Sequence, residues 1–339
     1  MSEPDLVSIV MPVFNAEMHI ADAIRSLKEQ EYKTFEAIII NDGSDDNSLG
    51  IIHELVAHDD RFIVMNTSNH GQAAARSKGI KVANGKYLAF MDSDDFASKT
   101  WIQTMVQDMI EQNVEMVCVN YAEFYEERKQ FVHQEYLPEF LKIDRESAYI
   151  EWCKDKRLKG FLWNKLFLAD AVKKNNTKIN FSFMEDSYLV LKVIKDVHGI
   201  YLDNRVEYYY RYDDNSAVNA PFKLSDLQTF ETFKTYLKKL EKNYPKLHSI
   251  FSMRLLKIEL LIISKMSRKQ YYENSAFIND FRGRLKSDQI NTSILFNKVD
   301  VVLLSMMRKT KKTYFFIRVR SLLVIILRKL RQLRRGGKR

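Results

Sequence analysis

The chain has 339 residues, of which 46% are hydrophobic and 12% aromatic, ample for a real core in one large or two ordinary domains and unlike a disordered protein. The net charge of +9 is concentrated at the end: thirteen lysines and arginines, and no acid, follow Asp300. The body is therefore slightly acidic and carries no positive field of the kind nucleic acids require. The two cysteines, Cys118 and Cys153, lack metal-ligand spacing and read as buried thiols in a reducing compartment. The acidic opening, Met1 to Asp5, does not read as a signal peptide, and no run reaches the roughly eighteen apolar residues of a spanning helix.

In chain order, Leu6 to Asn15 is an apolar strand interrupted near its end by Pro12, followed by helix-period residues at Met18, Ile20, Ala21, Ile24 and Leu27. Phe35 to Ile40 is a second buried strand, ending in the turn Asn41-Asp-Gly-Ser-Asp-Asp-Asn47 before a helix from Ser48. Arg61 to Met65 reads as a third strand, Gln72 to Ala83 as a small-residue helix and Lys86 to Met91 as a fourth strand. A helix from Trp101 to Gln112 leads to the strand Glu115 to Tyr121, after which the rhythm fails through 122–184. An amphipathic helix beginning at Glu185 and a late strand, Ile200 to Tyr210, precede a polar loop, Arg211 to Ser216. Beyond Pro221 the periodicity is helical.

Strands alternating with helices imply right-handed crossovers and a largely parallel sheet, with every strand's C-terminal end on one rim. That rim gathers Phe14, Asn15, Asp42, Asn69, Gly71 and the cluster Asp92-Ser-Asp-Asp95, where an open α/β sheet puts its ligand. Three carboxylates within four residues repel one another unless something positive sits among them, and a hard divalent cation suits that place. The other reading of the cluster is a strand end with Asp95 capping the next helix. There is no Walker loop and no Gly-x-Gly-x-x-Gly, which argues against a P-loop ATPase and a dehydrogenase. An aromatic, scattered polar groups and acids instead suit a stacked nucleobase and a diphosphate held through a metal at Asp94.

Four stretches, Val10-Met-Pro-Val-Phe-Asn15, Asn41-Asp-Gly-Ser-Asp-Asp-Asn-Ser48, Asn69-His-Gly-Gln-Ala-Ala-Ala-Arg76 and Met91-Asp-Ser-Asp-Asp95, resemble in order and spacing the signatures of family 2 glycosyltransferases. The likeness covers roughly residues 6–215. It implies a GT-A fold, inverting transfer from a nucleotide-diphosphate sugar, here a UDP-sugar, and Mn²⁺ or Mg²⁺. By resemblance Pro12, Phe14 and Asp42 would hold uracil, Arg76 would approach that base and Asn15 would belong to the same nucleotide site. Asp92 and Ser93 would meet the ribose side and Asp94 the metal. The family's usual Tyr-Asn is Phe14-Asn15 here, which keeps the ring face and loses a hydroxyl, and its Arg-Asn is Arg76-Ser77. Glu185-Asp186 resembles the family's base motif: Asp186 would take the acceptor's proton with Glu185 orienting it, the other reading being acids favoured in a helix's first turn. Lys165, Arg211 and Ser216 are expected to approach the phosphates or the acceptor, Arg211 and Ser216 in a closing loop.

The expected architecture is a GT-A domain over 1–218, a helical domain over 219–305 and a basic amphipathic tail over 306–339. Leu227, Phe230, Phe233, Leu237 and Leu240 read as helix packing and could equally seal a homo-oligomer. In the tail Phe315, Val319, Leu322, Ile326, Leu330 and Leu333 form a stripe flanked by arginines, which suits an anionic membrane surface through 313–335. By analogy this points to a protein at the inner face of the cell membrane, acting on a glycan or lipid-linked acceptor in surface-polysaccharide or teichoic-acid-like assembly. The rival is a non-catalytic module that binds a sugar nucleotide or polysaccharide.

Overall fold

The computed structural model of the chain describes residues 4–133, 140–176, 183–212, 220–286, 303–307, 313–320 and 323. They fall into two compact units, one of Met1–Trp152 with Lys156–Asp213, the other of Cys153–Asp155 with Asp214–Arg339.

The first unit is built on a mixed sheet. Its parallel half comprises β1 (Val7–Val13), β2 (Phe35–Asp42), β3 (Phe62–Thr67) and β4 (Tyr87–Phe90), in the order β3-β2-β1-β4. Both faces of β1, β2 and β4 are buried, which is why these strands are near-continuous apolar runs without alternation. Helices α1 (Ile20–Lys28), α2 (Ser48–Val56) and α3 (Gln72–Val82) make the crossovers; α1 buries Ile20, Ala23, Ile24 and Leu27, a 3.6-period stripe. Gly79 lets α3 lie close on β1, since a Cβ there would stand 2.5 Å from Val10 Cγ1.

Pro12 lies inside β1 rather than interrupting it, and its register partner is Ile40. The reason is geometric. Alternate residues of a strand present their backbone groups to the same neighbour. Val10 O accepts from Met91 N, and the β1–β4 pairing ends at Val10 and Phe90. The edge on which Pro12 lacks an N–H thus faces β4's side beyond the last pair, so no ladder bond is lost.

Where the βα rhythm fails, the sheet turns antiparallel. After β5 (Phe96–Ala97), α4 (Trp101–Glu111) and β6 (Met116–Tyr125), the segment holds β7 (Gln130–His133), β8 (Leu141–Asp144), α5 (Arg145–Lys154), β9 (Lys165–Leu168) and α6 (Ala169–Asn175). The short strand β9 pairs antiparallel with both β4 and β6 and completes the sheet between them. Helix α7 (Glu185–Ile194) and the long strand β10 (Gly199–Arg211) follow, β10 lying parallel to β6 and antiparallel to β5 and β8.

The second unit is helical, with α8 (Leu224–Asn243), α9 (His248–Lys265), α10 (Arg268–Glu273), α11 (Ser275–Lys286) and helical residues at 303–307 and 313–320. Phe230, Phe233, Leu237 and Leu240 are buried within this chain, as expected of helix packing. Of the tail's apolar stripe, Leu322, Ile326, Leu330 and Leu333 lie outside the described residues. Phe315 is 59% exposed. Among the described residues no helix is long and apolar enough to cross a membrane.

Candidate active site

The C-terminal ends of β1, β2 and β4 form one rim of the first unit, and the start of α7 reaches it through Arg76. Arg76 sits one turn into α3, is 4% exposed, and carries three carboxylates on one guanidinium. One Nη donates to Asp92 at 2.8 Å; the other donates to Glu185 at 3.2 Å and makes a shorter contact with Asp186. The strand end after β4 and the first turn of α7, far apart in sequence, therefore meet on one cation. A cavity of about 20 Å³ lies against this cluster, lined in part by Ala73, Ser77, Leu162 and Asn176. It has room for about one water molecule.

The resemblance puts Arg76 near the nucleobase; in the structure it lies between Asp92 and the Glu185-Asp186 pair. One guanidinium cannot neutralise three half-buried acids. Burial pushes the Asp186 carboxyl up to about 8, with Arg76 opposing and Glu185 and Asp92 adding to the rise. Glu185 is raised by burial too, against Arg76's pull. Arg76 itself is driven upward by the three acids despite the cost of its own burial.

Asp42 ends β2 and is 2% exposed. Its carboxylate accepts from Gly71 N at 2.7 Å, from His70 N at 3.1 Å and from Thr67 Oγ1 at 3.3 Å. These bonds fix the turn into α3, where Gly71 takes φ 86°, and set a negative charge at that helix's N-terminus. Asp42 thus positions the helix that carries Arg76, a role the expected nucleobase contact did not include. Asn15, at φ 49°, is likewise committed to a turn: its N–H donates to Ser44 Oγ and its Oδ1 accepts from Asp45 N. Pro12 is buried and Phe14 is 46% exposed at the rim.

In the acidic cluster Asp92 and Ser93 are half-buried, Asp94 is exposed and Asp95 is fully buried. Asp95 does not cap a helix with its side chain. It accepts from Tyr208 Oη at 2.8 Å and from Arg211 N at 2.8 Å, while Tyr208 Oη accepts from Asp92 N at 3.2 Å. Burial, with Asp94 and Asp92 adding, raises the Asp95 carboxyl well above its ordinary value. The relay ties the acidic turn to β10 and so holds the backbone that carries Asp94.

Arg211 and Lys165 depart from expectation. Arg211 ends β10 rather than riding on a loop; it is 5% exposed, its Nε donates to Asp94 O at 2.8 Å, and its Nη atoms pair with Asp22 at 2.8 Å and Glu126 at 3.0 Å. It braces the acidic turn through the Asp94 carbonyl. Lys165 is fully buried at the start of β9 and donates to Phe161 O at 2.6 Å and Asn164 Oδ1 at 2.7 Å. Its charge favours ionised Asp186 from within the protein. Ser216 lies outside the described residues. The partners that sequence reasoning missed are Tyr208, Asp22 and Glu126; the only signal for Tyr208 was its place in Tyr208-Tyr-Tyr210.

Among the described residues no group of three or more His, Cys, Asp or Glu side chains could hold a metal. Asp94, exposed on a braced turn, fits a cation that completes its shell with diphosphate oxygens and water, the habit of Mg²⁺ and similar ions.

A family model described as Glycosyl transferase family 2 matches residues 8–170. The putative glycosyltransferase EpsH of Bacillus subtilis is 28% identical over 247 residues, covering 71% of each chain. Across the first three curated relatives the matches span 30% to 71% of their length. Among solved structures, S. aureus TarS 1–349 in complex with UDP-GlcNAc has a TM-score of 0.66 at 17% identity, over 93% of this chain and 90% of that one. A mannosyltransferase of Pyrobaculum calidifontis in complex with GDP-Man and Mn²⁺ has a TM-score of 0.50 at 11% identity, over 95% and 87%. The likeness in structure is one of fold, a GT-A sheet with helices after it, and with the family 2 match over residues 8–170, which takes in the strand-end acids, it points to a glycosyltransferase.

Proposed function

We propose that the chain moves a hexose or N-acetylhexosamine from a UDP-sugar to a hydroxyl of a surface-glycan, teichoic-acid-like or lipid-linked acceptor, with inversion at the anomeric carbon. The observation that carries this reading is the meeting of Asp92 with Glu185 and Asp186 on Arg76, beside the exposed Asp94. The fold shared with a protein crystallised with UDP-GlcNAc supports the donor class.

In this reading Phe14 offers its ring face to uracil, and Asp92 and Ser93 face the ribose. Asp94 would hold Mn²⁺ or Mg²⁺, which when bound neutralises charge gathering on the departing diphosphate. The acceptor hydroxyl attacks the anomeric carbon as the bond to the diphosphate breaks, and Asp186 takes the hydroxyl proton. Glu185 and Arg76 set the direction and basicity of Asp186. A ribose drawn to Asp92 competes for Arg76, so donor binding would alter the partner of the base as well.

The basic tail would hold the enzyme at an anionic membrane from the cytoplasmic side, near a lipid-linked acceptor. The test is a panel of UDP-sugars assayed for hydrolysis and transfer with and without Mn²⁺. Metal-dependent turnover of at least one donor supports the reading. Saturable UDP binding with no turnover of any donor, under conditions where an active relative works, would defeat it.

A further inference from the structure

The helical unit contains a cavity of about 500 Å³ between α10, α11 and the helical residues 313–320, lined by none of the active-site residues. Its wall carries Arg268, Arg282 and Arg318 together with rings from Tyr272, Tyr314 and Phe315, and among its described lining residues there is no Asp or Glu. Arg318 is oriented by neutral acceptors: its Nε donates to Tyr314 Oη at 2.9 Å and an Nη donates to Met266 O. These bonds aim the guanidinium without cancelling its charge, and it stands 5.1 Å above the Tyr314 ring. On the opposite wall Arg282 Nε donates to Thr313 Oγ1 at 3.0 Å.

Two features narrow the occupant. Guanidinium groups lining one hollow match the oxygens of a phosphate, which each can meet with paired N–H donors. The hollow is larger than a bare phosphate would fill, within the range of small-molecule sites, and its rim is apolar: Tyr272 is 61% and Phe315 59% exposed. Arginines lining the hollow beside exposed aromatic rings suit a molecule anionic at one end and apolar at the other.

We infer that this cavity binds the phosphate headgroup of an anionic lipid, with the arginines on the phosphate oxygens and the exposed rings along the glycerol and first methylenes. The site is distinct from the non-specific attraction of a basic tail, because it requires a particular hollow and not merely charge.

The test uses the full chain and short-chain lipids kept monomeric, so that bulk membrane charge plays no part. Dihexanoyl phosphatidic acid, dihexanoyl phosphatidylcholine and inorganic phosphate are titrated by calorimetry. Phosphatidic acid is expected to bind saturably and about tenfold or more tighter than either of the others. Arg268→Gln with Arg318→Gln should weaken it by about tenfold or more, while Lys238→Gln with Lys239→Gln, the same charge change on exposed α8 positions, should leave it unchanged. Phe315→Ser supplies an independent arm at an exposed position, weakening lipid binding but not phosphate binding. No saturable lipid binding, equal losses in the two double variants, or phosphate binding as tightly as the lipid would each overturn the proposal.

Discussion

Replacing Arg76 by glutamine removes the one cation shared by Asp92, Glu185 and Asp186. The Arg76 side chain is 5% exposed and its three partners 20%, 11% and 22%, so solvent screening rescues little of the loss. Breaking a buried ion pair from one side costs about 3–5 kcal/mol, because the acids left behind remain desolvated. For a unit of this size that corresponds to a fall in Tm of roughly 6–20 °C. The penalty should depend on pH in a definite direction. Without Arg76 the acids titrate higher still, so the variant's native state holds extra protons and its stability falls more steeply as pH rises. The deficit should therefore widen from about pH 5 to about pH 9. Tryptophan fluorescence is the natural probe, since Trp101, Trp152 and Trp163 all lie in the first unit. A variant melting within about 2 °C of the parent at every pH would refute the clamp, since such a change is worth less than about 1 kcal/mol.

The same cluster predicts activity. With Asp186 raised to about 8, kcat/KM should climb with pH along a limb centred near that value, and Glu185→Gln should move the limb lower by removing a like charge. Asp186→Asn should leave UDP affinity intact and cut turnover by about two to four orders of magnitude; undiminished turnover would remove Asp186 from the mechanism. That variant should also gain stability relative to the parent as pH rises between 3.8 and about 8, because the native Asp186 binds its proton more tightly than the unfolded one and loses that advantage over this window. Tyr208→Phe deletes the hydroxyl between Asp92 N and Asp95, which should cost about 1–3 kcal/mol in thermal unfolding. Asp94→Asn should abolish the gain in UDP-sugar affinity on adding Mn²⁺ while leaving Tm nearly unchanged, since its side chain is exposed; an undiminished gain would relocate the metal.

The parallel half of the sheet is legible because its strands bury both faces and its turns carry Asn41 to Asn47 and Asn69 to Gly71, patterns set by local chemistry. The acids at the strand ends are legible for the same reason: charge next to a buried run marks the rim. What the sequence conceals is side-chain partnership across long separations. Arg211, followed by Tyr212 and a polar run, looks like a loop cation, yet β10 extends through it and Asp95 accepts its N–H; nothing local in Arg211-Tyr212 marks burial. Lys165 looks available because it is a lysine, and only the pairing of β9 with two neighbours puts it inside. The motif around Arg76 carries no sign of its acidic partners from α7, which depend on where that helix begins.

The antiparallel direction of β9 places its first residue, not its last, on the rim with the ends of β1 and β4. The residues just upstream share that location: Leu162 borders the Arg76 cluster and Trp163 stacks on Tyr208 at 4.7 Å. Leu158, Leu162 and Trp163 are all buried, so this connection is packed against the sheet. A change at Leu162 or Trp163 should therefore be felt at the Arg76 cluster and at the Tyr208 relay together.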